Sequence, residues 1–377
     1  MSKWEEKKFK EFIKLNRGFD LPNDKMKFGN YPVVASTNIK GYHISYKVTA
    51  PVVVTGRSGS LGAVQYIDKN CTPLNTTLYV KDFKGNFPRF VYYYLKTMRL
   101  DTFNSGAGVP TLNQNHLHSM KINIPDLPTQ ERIADILSAY DDLIEANNRR
   151  IELLEQAAQE LYKEWFVRFR FPGHEKAKFE NGLPEGWSVK RMNEFCYVTD
   201  GTHDTPKQIE TGIPLVTGRC ISNGFVDFNA AYNISKEDHE GIKKRSGLKS
   251  GDILFSNIGT VGNSCIVDYN REFSVKNVII FKPKTMRDTA YLYYWMTSSI
   301  MQEIFATQTN GASQQFVGLT FMRRYKLLVP QDDILDMFAE KVLSFIEQKR
   351  ILHQNNLSLA AQRDLLLPRL MSGKLEV

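Results

Sequence analysis

Two polar, glycine-rich loops are the stretches of this chain best suited to meet another molecule. The first is Gly56-Arg57-Ser58-Gly59-Ser60-Leu61-Gly62. The second, Asn257-Ile258-Gly259-Thr260-Val261-Gly262-Asn263, stands 200 residues later, so that Gly259 and Gly262 match Gly59 and Gly62. Glycine lets backbone come close to a phosphate, and an arginine such as Arg57 can bind phosphate or hold guanine with two hydrogen bonds. The candidate nucleic-acid contacts are therefore Arg57, Ser58 and Ser60 in one loop and Asn257, Thr260 and Asn263 in the other. A tight hairpin without a ligand is the alternative reading of both. A second cluster, Asn113, Gln114 and Asn115, is matched loosely by Gln314 and Gln315. Such side chains suit adenine edges, and turn chemistry is the alternative. Thr202, His203, Thr217 and Arg219 complete the set.

Catalytic motifs are missing from the same sequence. There is no N-P-P-Y or D-P-P-F run of an amino-methyltransferase and no G-x-x-x-x-G-K-[ST]; Gly373-Lys374 lacks the upstream glycine. Glu347-Gln348-Lys349 has the E-x-K form of a nuclease motif but falls inside helical heptads. His116 and His118 are spaced for a metal on a strand, with no carboxylate or third histidine nearby in sequence, so no metal site is expected. Cys71, Cys196, Cys220 and Cys265 form no C-x-x-C pair and read as reduced thiols of a cytoplasmic protein. No run of 18 apolar residues and no secretory h-region is present, so neither a membrane span nor an export signal is expected. The formal charge of +8, from 49 Lys and Arg against 41 Asp and Glu, suits a polyanionic partner.

The elements that must position the loops come from hydrophobic period. Residues 31–36, 51–56, 63–67, 78–82 and 120–125 read as strands, and 90–99 as a helix. From Asp126 to Phe171 apolar residues fall in steps of four and three: Ile133, Leu137, Tyr140, Ile144, then Asn147, then Ile151, Leu154, Ala158, Leu161 and Trp165. This is a coiled-coil seam, with Asp126 or Thr129 as N-cap and Pro172-Gly173 as terminator. Residues 174–186 are turn-rich and read as a linker, and strands at 213–218, 252–257, 265–269 and 278–283 follow. A second helix is expected over Asp332–Leu370 with a seam of Phe338, Val342, Phe345, Leu352, Asn356, Leu359 and Leu366.

The chain is a repeat. VYYYLKT (91–97) matches YLYYWMT (291–297) at an offset of 200, and MKINIP (120–125) matches YKLLVP (325–330) at 205. Ile133, Tyr140, Asn147, Leu154 and Leu161 correspond to Phe338, Phe345, Leu352, Leu359 and Leu366, whereas the other row of the second helix is polar at Lys349, Asn356 and Arg363. The fold class read from this is α+β: two β-rich domains separated by two long helices packed as an antiparallel coiled coil, with an internal pseudo-twofold. The expected boundaries are 1–125, 126–171, 172–330 (with the linker) and 331–377. The β-rich domains would stand at opposite ends of a rod, and Asn147 and Asn356 would pair to fix its register.

With these residues in view, the chain resembles the specificity subunit of type I restriction–modification systems over essentially its whole length. The resemblance rests on the repeat and on LPEGW (183–187), DGTHDTP (200–206), GIPLVTGRCISNG (212–224), LKSGDILFSNIGTVG (248–262), LNQNHLHSMKINIPDLPTQERIADIL (112–137), ANNRRIELLEQAAQELYKEWF (146–166) and LLLPRLMSGKL (365–375). It implies that each β-rich domain reads one half of a split, asymmetric duplex DNA target. The helices would set the spacer and dock two methyltransferase subunits, which restriction subunits join. The chain would perform no chemistry and bind no cofactor; S-adenosylmethionine, ATP and Mg would belong to the partner subunits. The first half lacks the full LPEGW opening and starts at KWEEKKFKEF (3–12), so its domain is expected to be shorter or divergent at the front. A coiled-coil scaffold without sequence-specific DNA binding and a fused DNA methyltransferase are the rival readings.

Overall fold

Strand for strand, the two halves of the chain repeat each other. In the first, a sheet runs Lys14–Arg17, Thr77–Asp82, Val52–Gly56, Val64–Ile67, all neighbours antiparallel. In the second, Tyr197–Asp200, Val278–Lys282, Ile253–Ser256 and Ser264–Ile266 stand in the same order. A three-stranded sheet accompanies each: Ile39–His43, Tyr31–Val34, Thr72–Pro73 in one half and Tyr232–Ile234, Ile213–Val216, Ser274–Val275 in the other. A third pairing brings Trp4–Lys8 to Lys121–Pro125 and Ser188–Arg191 to Lys326–Val329. The computed structural model describes residues 4–106, 108–268, 271–308 and 316–377, so the candidate contacts Gln314 and Gln315 lie outside the described residues.

The central strands explain why two small cores form in each half. Val52, Val53 and Val54 are all fully buried. Side chains alternate across a strand, and Val53 joins the core around Phe9, Phe12 and Phe90 while Val52 and Val54 join one with Val34 and Cys71. Ile253 and Phe255 against Leu254 repeat the division in the second half.

The repeat also reaches further forward than the sequence suggested. Trp4 corresponds to Trp187 at an offset of 183, and the two short helices that follow, Phe9–Phe12 and Met192–Phe195, start alike. Lys8 N–H donates to Glu11 at 3.0 Å and Arg191 N–H to Glu194 at 2.9 Å. Gly18 and Gly201 hold equivalent places, where a Cβ would sit 2.2 Å from the Leu74 carbonyl oxygen and 2.1 Å from that of Val275. The first half is shorter elsewhere: the second carries the additional helix Lys236–Ser246 after its edge strand.

Two compact units result, one from residues 1–148 with 353–377 and one from residues 149–352, and each long helix contributes to both. The central helix, Leu127–Tyr162, starts where Asp126 accepts the Thr129 N–H at 3.1 Å. Its α-helical part ends earlier than Phe171. A π-helical turn, Lys163–Val167, follows. The wider turn brings Trp165 and Phe166 together into the core against Phe338 and Tyr291. The C-terminal helix is Asp332–Met371.

Every seam position named above is buried or half-buried. In the first unit Asn147 donates to Asn356 at 2.9 Å, Asn356 donates to Asn148 at 2.8 Å, and Arg363 pairs with Asp141. In the second unit Lys349 pairs with Glu155, while Phe338 packs on Tyr162 and Trp165. In both units higher numbers on one helix meet lower numbers on the other, so the packing is antiparallel. Lys349, Asn356 and Arg363, the polar positions of the second helix's other row, recur along that helix as a ladder at heptad spacing, each answered within its own unit by an acid or an amide.

All four cysteines are buried. Burial pushes the thiols of Cys71, Cys196 and Cys265 up to about 12, and the phenols of Tyr92 and Tyr94 up to about 12. Unfolded thiols and phenols titrate near 8.5 and 10. A folded-state pKa above the unfolded one contributes stability that is fully present below the unfolded value and is lost as pH rises through the folded value. The melting temperature will therefore begin to fall above about pH 8.5 and keep falling toward pH 12. Iodoacetamide at pH 8 will label the cysteines only after denaturation. A midpoint that held constant between pH 8 and pH 11, read by scanning fluorimetry, would contradict this.

Candidate DNA interface

The glycine-rich loops are stitched to the asparagine-rich turns in the same way twice. In the first unit Leu112 N–H donates to the Arg57 carbonyl at 2.8 Å, and Ser58 bridges Thr111. In the second, Val317 N–H donates to the Asn257 carbonyl at 2.9 Å, and Ile258 bridges Phe316. Both contacts repeat at the sequence offsets of 200 and 205. The sequence separated these stretches by some fifty residues; the fold makes each pair one surface.

Within the first surface the side chains divide into held and available. Arg57 is half-buried and donates through Nη1 to the Asn75 carbonyl at 3.1 Å. Asn113 caps the helix Gln114–Ser119 by accepting the Asn115 N–H at 2.9 Å. Gln114 is half-buried, and its Oε1 is a buried atom without a hydrogen-bond partner among the described residues. Ser60 and Asn115 are exposed. His116 and His118 sit on this helix rather than a strand, so residues two apart face different ways. His118 accepts the Leu15 N–H at 3.1 Å, and burial followed by the Lys14 charge lowers its pKa. It is a neutral structural acceptor.

In the second unit the loop is tied to the turn that carries Thr217 and Arg219. Thr260 donates to the Gly218 carbonyl at 3.3 Å and Asn263 to that of Ile221 at 2.9 Å. Asn257 is buried and donates to the Val317 carbonyl at 3.2 Å. Thr217 lies 3.6 Å from the Cys220 sulfur, and Arg219 is exposed. Thr202 is buried and accepts the Asp204 N–H at 3.1 Å. His203 is exposed, with Nε2 at 2.8 Å from Asp200. Asp200 also meets Arg245 at 2.5 Å. One nearly buried carboxylate thereby orients an exposed imidazole and an exposed guanidinium. The sequence reading missed Arg245, which lies on the additional helix. The run Lys243-Lys244-Arg245 was the available signal.

Among the described residues, His239, Glu240 and Glu272 bring donor atoms within 4.8 Å of one another. Lys243 lies 2.6 Å from the Glu272 carboxylate and His239 Nε2 3.2 Å from it. That carboxylate is already taken by Lys243 and the His239 ring, whose hydrogen bonds, that of Lys243 first, lower its pKa.

A family model described as the type I restriction modification DNA specificity domain matches residues 1–156 and 184–356. The chain belongs to this family. Two family segments agree with the two strand-for-strand halves, and the match favours a DNA-specificity role over a scaffold without one. The chain is 24% identical to the type I restriction enzyme MjaIX specificity subunit of Methanocaldococcus jannaschii, over 99% of this chain and 94% of that protein. It is 22% identical to the HindI specificity subunit of Haemophilus influenzae, over 71% of each. The solved S subunit of a type I restriction–modification system from M. genitalium shares the fold with a TM-score of 0.62 at 16% identity, covering 98% of this chain and 96% of that one. No helix among the described residues is long and apolar enough to cross a membrane.

Proposed function

We propose that this chain is the sequence-reading, non-catalytic subunit of a type I restriction–modification enzyme, and that each β-rich half reads one part of a bipartite, asymmetric duplex target. The observation that carries the reading is the pairing of one scaffold with two side-chain sets. Equivalent loop and helix-cap positions beside identically ordered strands hold Arg57 and Asn257, Ser60 and Thr260, Asn113 and Gly318. A duplicated frame with unlike tips suits two unlike half-sites better than one palindrome. The two long helices set the spacer and dock two methyltransferase subunits, with restriction subunits joining them. S-adenosylmethionine, ATP and Mg act on those partners, inside the cytoplasm.

The test is assembly of the full chain with its methyltransferase, followed by mapping of methylated adenines. The expected target is two unlike blocks around an unspecified spacer; a continuous palindrome would overturn the reading. Exchange of residues 1–125 for those of another family member should change one block and leave the other and the spacer as they were.

A further inference from the structure

The loop surface of the first unit continues onto a hairpin of the three-stranded sheet. Strands Tyr31–Val34 and Ile39–His43 pair antiparallel, and the second is an edge strand. Their connection touches the glycine-rich loop: Ser36 donates to the Thr76 carbonyl at 2.9 Å and lies 3.5 Å from that of Ser58. One face of the hairpin is covered by residues 23–30. Met26 lies against Gly41, where a Cβ would be 2.8 Å from its methyl carbon, and Gly29 lies against the His43 carbonyl. Lys27 N–H donates to His43 Nδ1 at 3.0 Å. The backbone on both sides of Phe28 is therefore held, yet Phe28 is 94% exposed.

The surroundings of Phe28 are aromatic and basic. Tyr42 and Tyr46 are 49% and 41% exposed, and Lys25, Lys27, Lys40 and Lys47 are exposed with only Asp24 to offset them in this stretch. Among the described residues none of these four lysines forms an ion pair. Lysine alone would serve to keep an edge strand from pairing with another chain. It does not explain a fixed and fully exposed phenylalanine, which works against that purpose. The equivalent place in the second half differs: the edge strand Tyr232–Ile234 is bridged by Ile209 and followed by a helix.

We propose that this hairpin, together with Phe28 on the segment that covers one of its faces, is a duplex-DNA contact of the first recognition domain. The four lysines bind phosphates, and Phe28 enters the minor groove as an apolar wedge between base pairs and bends the duplex. The inference rests on the sequence-reading role proposed above and adds a named surface to it. Because a wedge favours easily unstacked steps, the block read by this half should prefer a pyrimidine–purine step where Phe28 enters.

The test uses the full chain assembled with its methyltransferase, a duplex bearing the mapped target, and a duplex of unrelated sequence. Changing Lys25, Lys27, Lys40 and Lys47 to Gln should flatten the plot of log affinity against log salt by up to about 3.6, at ~0.9 per lost phosphate contact. Phe28→Ala should bind the target about tenfold more weakly and reduce its bend, read by end-to-end fluorescence transfer. All five side chains are exposed, and unchanged melting will show that the variants fold. An unchanged salt slope together with an unchanged bend overturns this surface and leaves the sequence-reading role standing, provided the unmodified complex still selects its target. Variants that bind DNA normally but no longer retain the methyltransferase also overturn it, in favour of a protein contact. An unmodified complex that selects no sequence overturns both.

Discussion

Glu155→Ala will destabilise the second unit by about 3–5 kcal/mol, and Lys349→Ala by less. The asymmetry follows from exposure. The Lys349 side chain is 7% exposed and that of Glu155 29%. Removing the carboxylate strands an ammonium inside the protein, whereas removing the lysine leaves a carboxylate that still reaches water. The stranded ammonium still faces the Tyr293 ring, with its centroid 5.5 Å away. A cation–π contact of ~0.5–2 kcal/mol does not replace the lost pair. Burial, then the charge of Glu155, raises the Tyr293 phenol well above its ordinary value, so it stays neutral and offers no second anion. Glu155→Met together with Lys349→Met should return stability to within about 1 kcal/mol of the parent, because an apolar pair of similar size carries no desolvation cost. Each kcal/mol shifts the midpoint of a unit this size by roughly 2–4 °C, so scanning fluorimetry resolves all three variants. Equal and small losses in both single variants would mean that the pair is solvated and that the ladder does not specify the helix packing.

The same pair shows where sequence reading stopped. Period alone gave the two long helices and both seams, because a four-three rhythm survives substitution of one apolar residue by another. Matching of short stretches at fixed offsets gave the repeat across the central strands and the glycine loops. Lys349 and Arg363 read only as polar positions of the second helix, since their partners Glu155 and Asp141 lie some 200 residues away and outside the seam positions of the first helix. The front of the repeat was hidden for another reason. The offset there is 183 rather than 200, because the second half carries an inserted helix, and Trp4 against Trp187 was therefore not aligned. At the interface, residue types identified the right loops but not which side chains are available. Asn113 had the composition of a base contact and is a helix cap, while its counterpart Gly318 begins a helix with no side chain at all. The hairpin beneath Phe28 has no strong period or motif. Only its density of Lys and aromatic residues marks it.

Inserting seven residues in each long helix, after Asn148 and after Leu352, should lengthen the unspecified spacer of the target and leave both half-sites unaltered. These positions are the boundaries of the two units, so the packing inside each unit is preserved. Seven residues carry the four-three rhythm through one period and rotate a straight helix by only ~20° from its former phase. The added length is about 10 Å, or roughly three base pairs at ~3.4 Å each. Three base pairs also turn the second half-site by about 100° around the duplex axis, given ~10.5 base pairs per turn. Some affinity will be lost as the DNA twists or the protein bends to compensate. The same insertion in one helix alone should be far more damaging. It displaces one side of the ladder by two turns, so Arg363 no longer faces Asp141 or Asn356 Asn147 when Lys349 keeps Glu155. Methylated-adenine mapping of the doubly extended chain distinguishes the cases: a longer spacer between unchanged blocks supports a ruler built from the helix pair, and changed blocks at the old spacing would place the ruler elsewhere in the chain.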